Sequence, residues 1–227
     1  MDNSFPNKDF CPYFGKAIKD LQKTEEYKSF YKKHLEPMEE KYSGLWKYPV
    51  DLTWVDDSLR ARFCHKFELP PLMTEADAHQ IMHGVSSLEN MIQESFAVQQ
   101  LSVGSFFGDW ITNLEMEPRP RFVQYSNHDS TLRAVLSALG IFDAVWPAYA
   151  SHLALELWEE ISTGKHYVTL QYDGKIRKLK EPCQDYFCYY GDFVKLLNSF
   201  RTELCDEPSG SLNLELADEA PGPRLKP

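Results

Sequence analysis

No stretch of this 227-residue sequence approaches the ~18 consecutive apolar residues of a membrane-spanning helix. Cationic side chains are in short supply. Lys and Arg total 24 against 34 Asp and Glu, a formal charge of -10 with a pI near 5.2. That balance argues against general attraction to nucleic acid or to an anionic bilayer, yet a local cationic pocket for a phosphate remains compatible with it. The opening run Met1-Asp2-Asn3-Ser4-Phe5-Pro6 has neither a basic region nor an apolar core, so no signal peptide is expected. No Asn-x-Ser/Thr sequon occurs and no internal repeat is present. The cysteines are few: Cys11, Cys64, Cys183, Cys188 and Cys205. An odd number leaves at least one without a partner in the chain. A zinc reading needs a second ligand pair at short spacing, and none exists. Cys183 and Cys188 bracket Gln-Asp-Tyr-Phe after Pro182, a short loop able to close as a disulfide, with inert buried thiols as the alternative.

What is there is a hydrophobic content of 43%, ordinary for a globular chain of one or two domains. Residues 1–23 read as polar and irregular, with Pro6 and Pro12. Tyr27, Phe30, Tyr31, Leu35 and Met38 recur at helical spacing and predict a helix from Glu25 to about Tyr42. Trp46 to Val55 reads as an extended connection, followed by a helix from near Asp57 towards Cys64. Pro70-Pro71 interrupts the chain. Thr74 is a plausible N-cap, with Asp77 where a capping box places its acid. Ile81, Val85, Leu88, Ile92 and Phe96 share one face and predict one long helix from Thr74 to about Leu101, weakened slightly by Gly84. This gives a mostly helical region over 1–115. The texture then changes at Pro118-Arg119-Pro120, and 116–205 reads as the α/β part. Phe122-Val123-Gln124-Tyr125 is a β-prone run. His152–Trp158 and His166–Tyr172 read as strands, with turns at Thr163-Gly164-Lys165 and Asp173-Gly174-Lys175. Phe193–Phe200 reads as a short helix. The stretch 206–227 is rich in Glu, Pro, Gly and Ser and reads as a disordered tail.

The chemically informative stretch runs from Arg121 to Leu132: Arg-Phe-Val-Gln-Tyr-Ser-Asn-His-Asp-Ser-Thr-Leu. Its apolar run, tight turn and helical pattern ending at Gly140 place His128-Asp129 at the start of a helix, where backbone N–H groups favour an anion. There an imidazole can donate to a phosphate oxygen, and a protonated carboxyl can give a proton to a departing alkoxide. Taken alone the pair is equally an N-cap beside a turn residue. Arg133 reads as part of a solvated helix face, with phosphate contact as the alternative. Arg119 and Arg121 read as surface charges, His152 and His166 as strand residues, and Trp146-Pro147 as packing.

The stretch resembles the second motif of the histidine acid phosphatase family: a strand, a small residue, x, His-Asp, then a helix opening Ser/Thr-x-Leu. The likeness continues through Leu139-Gly-Ile-Phe-Asp143, Trp146-Pro-Ala-Tyr-Ala150, Leu155-Glu-Leu157, Tyr167–Lys175 and Cys183–Cys188, and is specific over 119–205. The Leu-Gly-Ile-Phe-Asp and Trp-Pro runs look most like the branch of lysophosphatidic acid and xylose-phosphate phosphatases. A looser likeness over 8–70, at Cys11-Pro12 and Arg62-Phe63-Cys64, resembles the family's helical cap. The resemblance implies an α/β fold, with a partial histidine-phosphatase (phosphoglycerate-mutase-like) core and a mostly helical cap. It implies phosphomonoester hydrolysis through a phosphohistidine, with Asp129 as general acid, His128 as phosphate ligand, and no metal or other cofactor. It implies a Cys183–Cys188 disulfide, a possible Cys11–Cys205 disulfide, Cys64 without an intrachain partner, and a secretory, lysosomal or other organellar origin for a full-length form.

One departure dominates. The family's nucleophile is the His of Arg-His-Gly-x-Arg-x-Pro, and the motif's arginines clamp the phosphoryl group. This sequence has no Arg-His pair, and its one His-Gly, His83-Gly84, lies inside a predicted helix without flanking Arg. Because Cys11 resembles a landmark downstream of that motif, the segment is expected to be missing rather than altered. The expected consequences are an incomplete catalytic set and inactivity of the chain alone. The alternative function is that of a non-catalytic isoform or binding protein. A small-molecule phosphomonoester is then a ligand only of a completed site, and an exposed, incomplete core would favour self-association.

Overall fold

The computed structural model describes residues 11–45, 51–202 and 204. The chain begins with a helix where irregular structure was expected. Helix α1 (Pro12–Gln22) starts on Pro12, whose fixed φ suits a first helical position. It carries Phe14, Ala17, Ile18 and Leu21 along one face, packed against Ile92, Val98 and Leu101. The single helix expected over 25–42 is two, α2 (Glu25–His34) and α3 (Glu36–Tyr42). Pro37 lies in the first turn of α3, and a proline there can open a helix but not continue one. Thr24 caps α2 by accepting from the Tyr27 N–H. A short 3₁₀ turn (Ser43–Leu45) follows. Helix α4 (Leu52–His65) begins earlier than expected because Asp51, rather than a residue near Asp57, supplies the cap, accepting from the Thr53 N–H at 2.9 Å. Its far end stops at Lys66 in the left-handed region, φ 56°.

The long helix expected over 74–101 is α5 (Glu75–Glu94) and α6 (Phe96–Glu115), parted at Ser95. Ser95 has extended backbone, and the Gln99 amide reaches back across the break to the Gln93 carbonyl at 2.7 Å. The apolar period survives the break, since Ile92 and Val98 flank it yet pack in one cluster. The Thr74–Asp77 capping box is present as read. Asp77 also accepts from Tyr42 Oη at 2.7 Å and Lys41 Nζ at 2.8 Å, which holds its carboxyl well below the usual carboxylate range, Lys41 being the largest cause.

Beyond Glu115 the chain makes helix α7 (Asp129–Ala138), strands β1 (Leu153–Glu159), β2 (His166–Tyr172), β3 (Lys175–Arg177) and β4 (Cys188–Tyr189), and helix α8 (Tyr190–Asn198). The sheet is antiparallel throughout. β2 is central, with all of β1 on one side. On the other side β3 lies beside Leu170–Tyr172 and β4 beside Tyr167–Val168. The β2–β3 turn uses Asp173 and Gly174 at φ 48° and 73°, the left-handed pair that a two-residue hairpin requires. Cys183 and Cys188 form a disulfide, Cys64 is an exposed free thiol, and Cys11 is disulfide-bonded. Cys205 and the stretch 206–227 lie outside the described residues.

Two main cores result. One joins α2–α5 around Leu35, Leu59, Ile81 and Val85. The other joins α6, α7, α8 and the sheet around Phe107, Leu136, Leu170 and Phe193. The expected strand Phe122–Tyr125 is not in the sheet. No strand pairs with this run among the described residues, and Phe122 is 80% exposed. β-propensity needs a partner ladder to be expressed. What holds the run is Tyr125, whose hydroxyl accepts from Asn113 Nδ2 at 2.7 Å and whose ring meets Phe106 edge-on.

Candidate active site around His128 and Asp129

The run from Phe122 delivers His128 to the N-cap position of α7, where its backbone is extended, with φ -104° and ψ 164°. The Leu132 N–H bonds to the His128 carbonyl at 3.1 Å, so the helix opens at Asp129. Both motif side chains are exposed. Asp129 is tied at both carboxylate oxygens. Oδ1 accepts from the Ser130 N–H at 2.7 Å, and Oδ2 accepts from Trp146 Nε1 at 2.8 Å. In this geometry both oxygens accept, and a protonated carboxyl keeps lone pairs enough to hold both bonds while its O–H donates.

Trp146, which the sequence alone places in packing, is a partner of the motif. Its ring lies 4.5 Å from the Arg133 guanidinium and 4.7 Å from that of Arg60. Arg60 comes from α4 and Arg133 from α7, so the indole joins the helical region to the motif. No spacing rule links Asp129 to a Trp in the loop that follows its helix. The proposed solvated face for Arg133 is also corrected: the residue is 2% exposed. On a ten-residue helix whose Ala134, Val135, Leu136 and Ala138 are buried, position 133 turns towards α5, where Glu89 meets it at 3.2 Å. Arg119 is exposed and donates to the Leu114 carbonyl at 2.7 Å, and Arg121 is exposed as read. His152 is exposed, 3.6 Å from Asp173, and His166 opens β2 half-buried. His83 is an exposed mid-helix residue on α5.

The two nearby guanidiniums are already engaged. Arg60 pairs with Asp56 at 2.9 Å and also donates to Ser86 Oγ at 2.7 Å. Burial pushes the Asp56 carboxyl up, against the opposing pull of Arg60. With Glu89 and Asp129, the cluster sets three carboxylates against two guanidiniums and offers an incoming phosphate no surplus of positive charge. Among the described residues no group of three His, Cys, Asp or Glu could hold a metal ion, and no helix is long and apolar enough to cross a membrane. Beside the motif opens a cleft of about 490 Å³, with Ser130 and Arg133 on one wall and residues of α1, α2 and α5 on the others.

The sequence profile of the histidine phosphatase superfamily, branch 2, matches residues 3–173. The chain belongs to that family. Within it, the chain is 24% identical over 206 residues to Counting factor 60 of Dictyostelium discoideum, an alignment covering 86% of this chain and 47% of that protein. It is 25% identical over 208 residues to rat prostatic acid phosphatase, covering 83% and 53%. It is 30% identical over 116 residues to mouse lysophosphatidic acid phosphatase type 6, covering 48% and 28%. The chain thus spans about half the length of the first two relatives. The mixed helical and antiparallel-sheet architecture agrees with a histidine-phosphatase α/β fold.

Proposed function

We propose that this chain carries the leaving-group side of a histidine acid phosphatase site and, by itself, turns over phosphomonoesters very poorly. Asp129 is the general acid and His128 a phosphate ligand. The observation that carries the reading is their joint placement at the N-terminus of α7, with Asp129 fixed by Ser130 and Trp146. Family membership supports the phosphatase-like character. The inactivity rests on inventory: the sequence contains no Arg-His-Gly, and both arginines beside the motif are ion-paired. Phosphoryl transfer depends on positioning and on cations around the phosphoryl oxygens. General acid catalysis contributes ~10²–10⁴-fold, and only where the remaining parts are in place.

The test is hydrolysis of p-nitrophenyl phosphate between about pH 4 and 7, comparing the chain with a longer version that carries an Arg-His-Gly segment. Turnover near the buffer rate, unchanged by Asp129→Ala, is expected of the chain. In the longer version the same change should be severe, most of all for substrates with poor leaving groups. Robust turnover by the chain that is abolished by Asp129→Ala would overturn the incomplete-site reading, and His83→Ala would then test for an unexpected nucleophile.

A second reading, as a binding protein, is favoured by the exposed Phe122 and Val123 on a run that joins no strand among the described residues. Such a run offers backbone N–H and C=O groups to another strand, including one from a second copy. Concentration-dependent dimerisation in sedimentation, lost with Phe122→Glu, is its signature. A monomer at all concentrations would refute self-association.

A further inference from the structure

The cleft beside α7 has a chemistry of its own. Its walls are largely apolar, with Phe14 and Ile18 from α1 and Leu88 and Ile92 from α5 among them. Its volume, about 490 Å³, is that of a small-molecule site. The charged groups lining it are Glu39, Asp51, Glu89 and Arg133, among the described residues, so carboxylates outnumber guanidiniums three to one. Arg133 is moreover neutralised by its pair with Glu89. Two further observations point to a polar ligand. Gln93 lines the cleft at 8% exposure with Oε1 unpartnered, and Arg133 lines it at 2% exposure with Nε unpartnered. Buried polar atoms of this kind are ordinarily satisfied, and leaving them so is costly. One wants a donor and the other an acceptor.

The hydroxyls in the cleft report the same field. Burial raises the Tyr31 hydroxyl, and its bond to Glu39 raises it further. Burial also raises Tyr27, with Glu89 and Asp51 adding to the effect. Anionic ligand groups are repelled from such a pocket, whereas an ammonium is attracted to it.

We infer that the cleft binds the organic part of an amino-alcohol phosphomonoester: an apolar body with an ammonium held by the unpartnered acceptor of Gln93 in the field of the cleft's carboxylates, and its alcohol oxygen towards Arg133 and Ser130. The assignment of the ester end rests on the phosphatase reading above; the ammonium end does not. Ser130 both lines the cleft and donates its N–H to Asp129, so the end of the cleft meets the motif.

The test uses ligands without phosphate, so that its outcome is independent of any hydrolysis. Octylamine, octan-1-ol and octanoate are titrated calorimetrically into the intact chain at low ionic strength and neutral pH. Octylamine is expected to bind saturably and about tenfold more tightly than octan-1-ol, the scale of a partly screened charge interaction, with octanoate the weakest. Glu39→Gln combined with Asp51→Asn keeps the hydrogen-bonding shapes, including a competent N-cap for α4, and should bring octylamine down to the level of octan-1-ol. Gln93→Leu removes the unpartnered acceptor at no cost in protein hydrogen bonds through that atom. It should weaken octylamine severalfold even where the double variant fails to fold. Octanoate binding as well as octylamine, no saturable binding of the amine, or a preference for the amine unchanged in every folded variant would each overturn the inference. Failure of the phosphatase reading appears separately, in the hydrolysis of phosphate esters.

Discussion

Replacing Trp146 with Phe removes the bond that, among the described residues, fixes the Asp129 side chain from outside its own helix. The indole N–H lies 2.8 Å from Oδ2, and a hydrogen bond to a charged group contributes about 1.5–3 kcal/mol when protected. Asp129 is exposed, so solvent competes and about 1 kcal/mol is the appropriate share. Phe keeps a ring face for Arg133 and Arg60 but a weaker one. Cation–π contacts run from about 0.5–1 kcal/mol when exposed to about 2 when desolvated, so losing part of two of them costs about another 1 kcal/mol. A total near 2 kcal/mol should appear as a lower urea midpoint at unchanged slope, followed by circular dichroism with disulfides intact. The decisive quantity is the coupling in a double-mutant cycle with Asp129→Ala, expected at about 1 kcal/mol. A coupling of about 0.3 kcal/mol or less would mean that the Trp146–Asp129 bond does not hold the acid in solution.

Other perturbations follow the same logic. Glu89→Ala leaves the buried Arg133 guanidinium unpaired; because Glu89 is itself partly exposed, the loss should be about 2–3 kcal/mol, below the range for fully buried pairs, and a denaturant midpoint measures it. Asp77 has a folded-state pKa below its unfolded value, so its contribution to stability is present above about pH 4 and is lost as pH falls through the folded value. Asp77→Asn should therefore be less stable than the parent at pH 6, with the gap closing progressively below about pH 4 in melts run across that range. Gly104→Ala would place a Cβ 2.5 Å from the Phe200 carbonyl oxygen, which is backbone and cannot swing aside. A destabilisation of about 1–3 kcal/mol is expected, and a variant as stable as the parent would show that the α6–α8 junction is looser than its geometry.

Local chemistry was legible wherever it acted within a few residues. Thr74 with Asp77, the Asp173-Gly174 turn, the β2 strand and the Cys183–Cys188 loop all carry their cause beside them in the chain. The apolar period continues across the breaks at Leu35 and Ser95; the first carries a local signal in Pro37, and the second has none of that kind. The run Phe122–Tyr125, which joins no strand among the described residues, shows the limit of β-propensity, which is satisfied only by a neighbour. At the site, His128 and Asp129 could be located from sequence as a pair. Arg133, buried rather than solvated, and Trp146, a partner rather than filler, depend on where α4 and α5 lie, and that placement has no short-range signature.

Helix α6 has a place in two packings. Its first half, at Val98 and Leu101, seals α1 against α5, and its second, from Val103 to Leu114, lies under α7, α8 and the sheet. It also meets the end of α8 closely at Gly104. Opening either lobe therefore exposes a face of the same helix, which ties the two into one cooperative unit. In native-state hydrogen exchange the mid-α6 amides should be among the slowest, exchanging only through global unfolding, while the amides of the Phe122–Tyr125 run exchange freely. A single calorimetric transition should accompany that pattern.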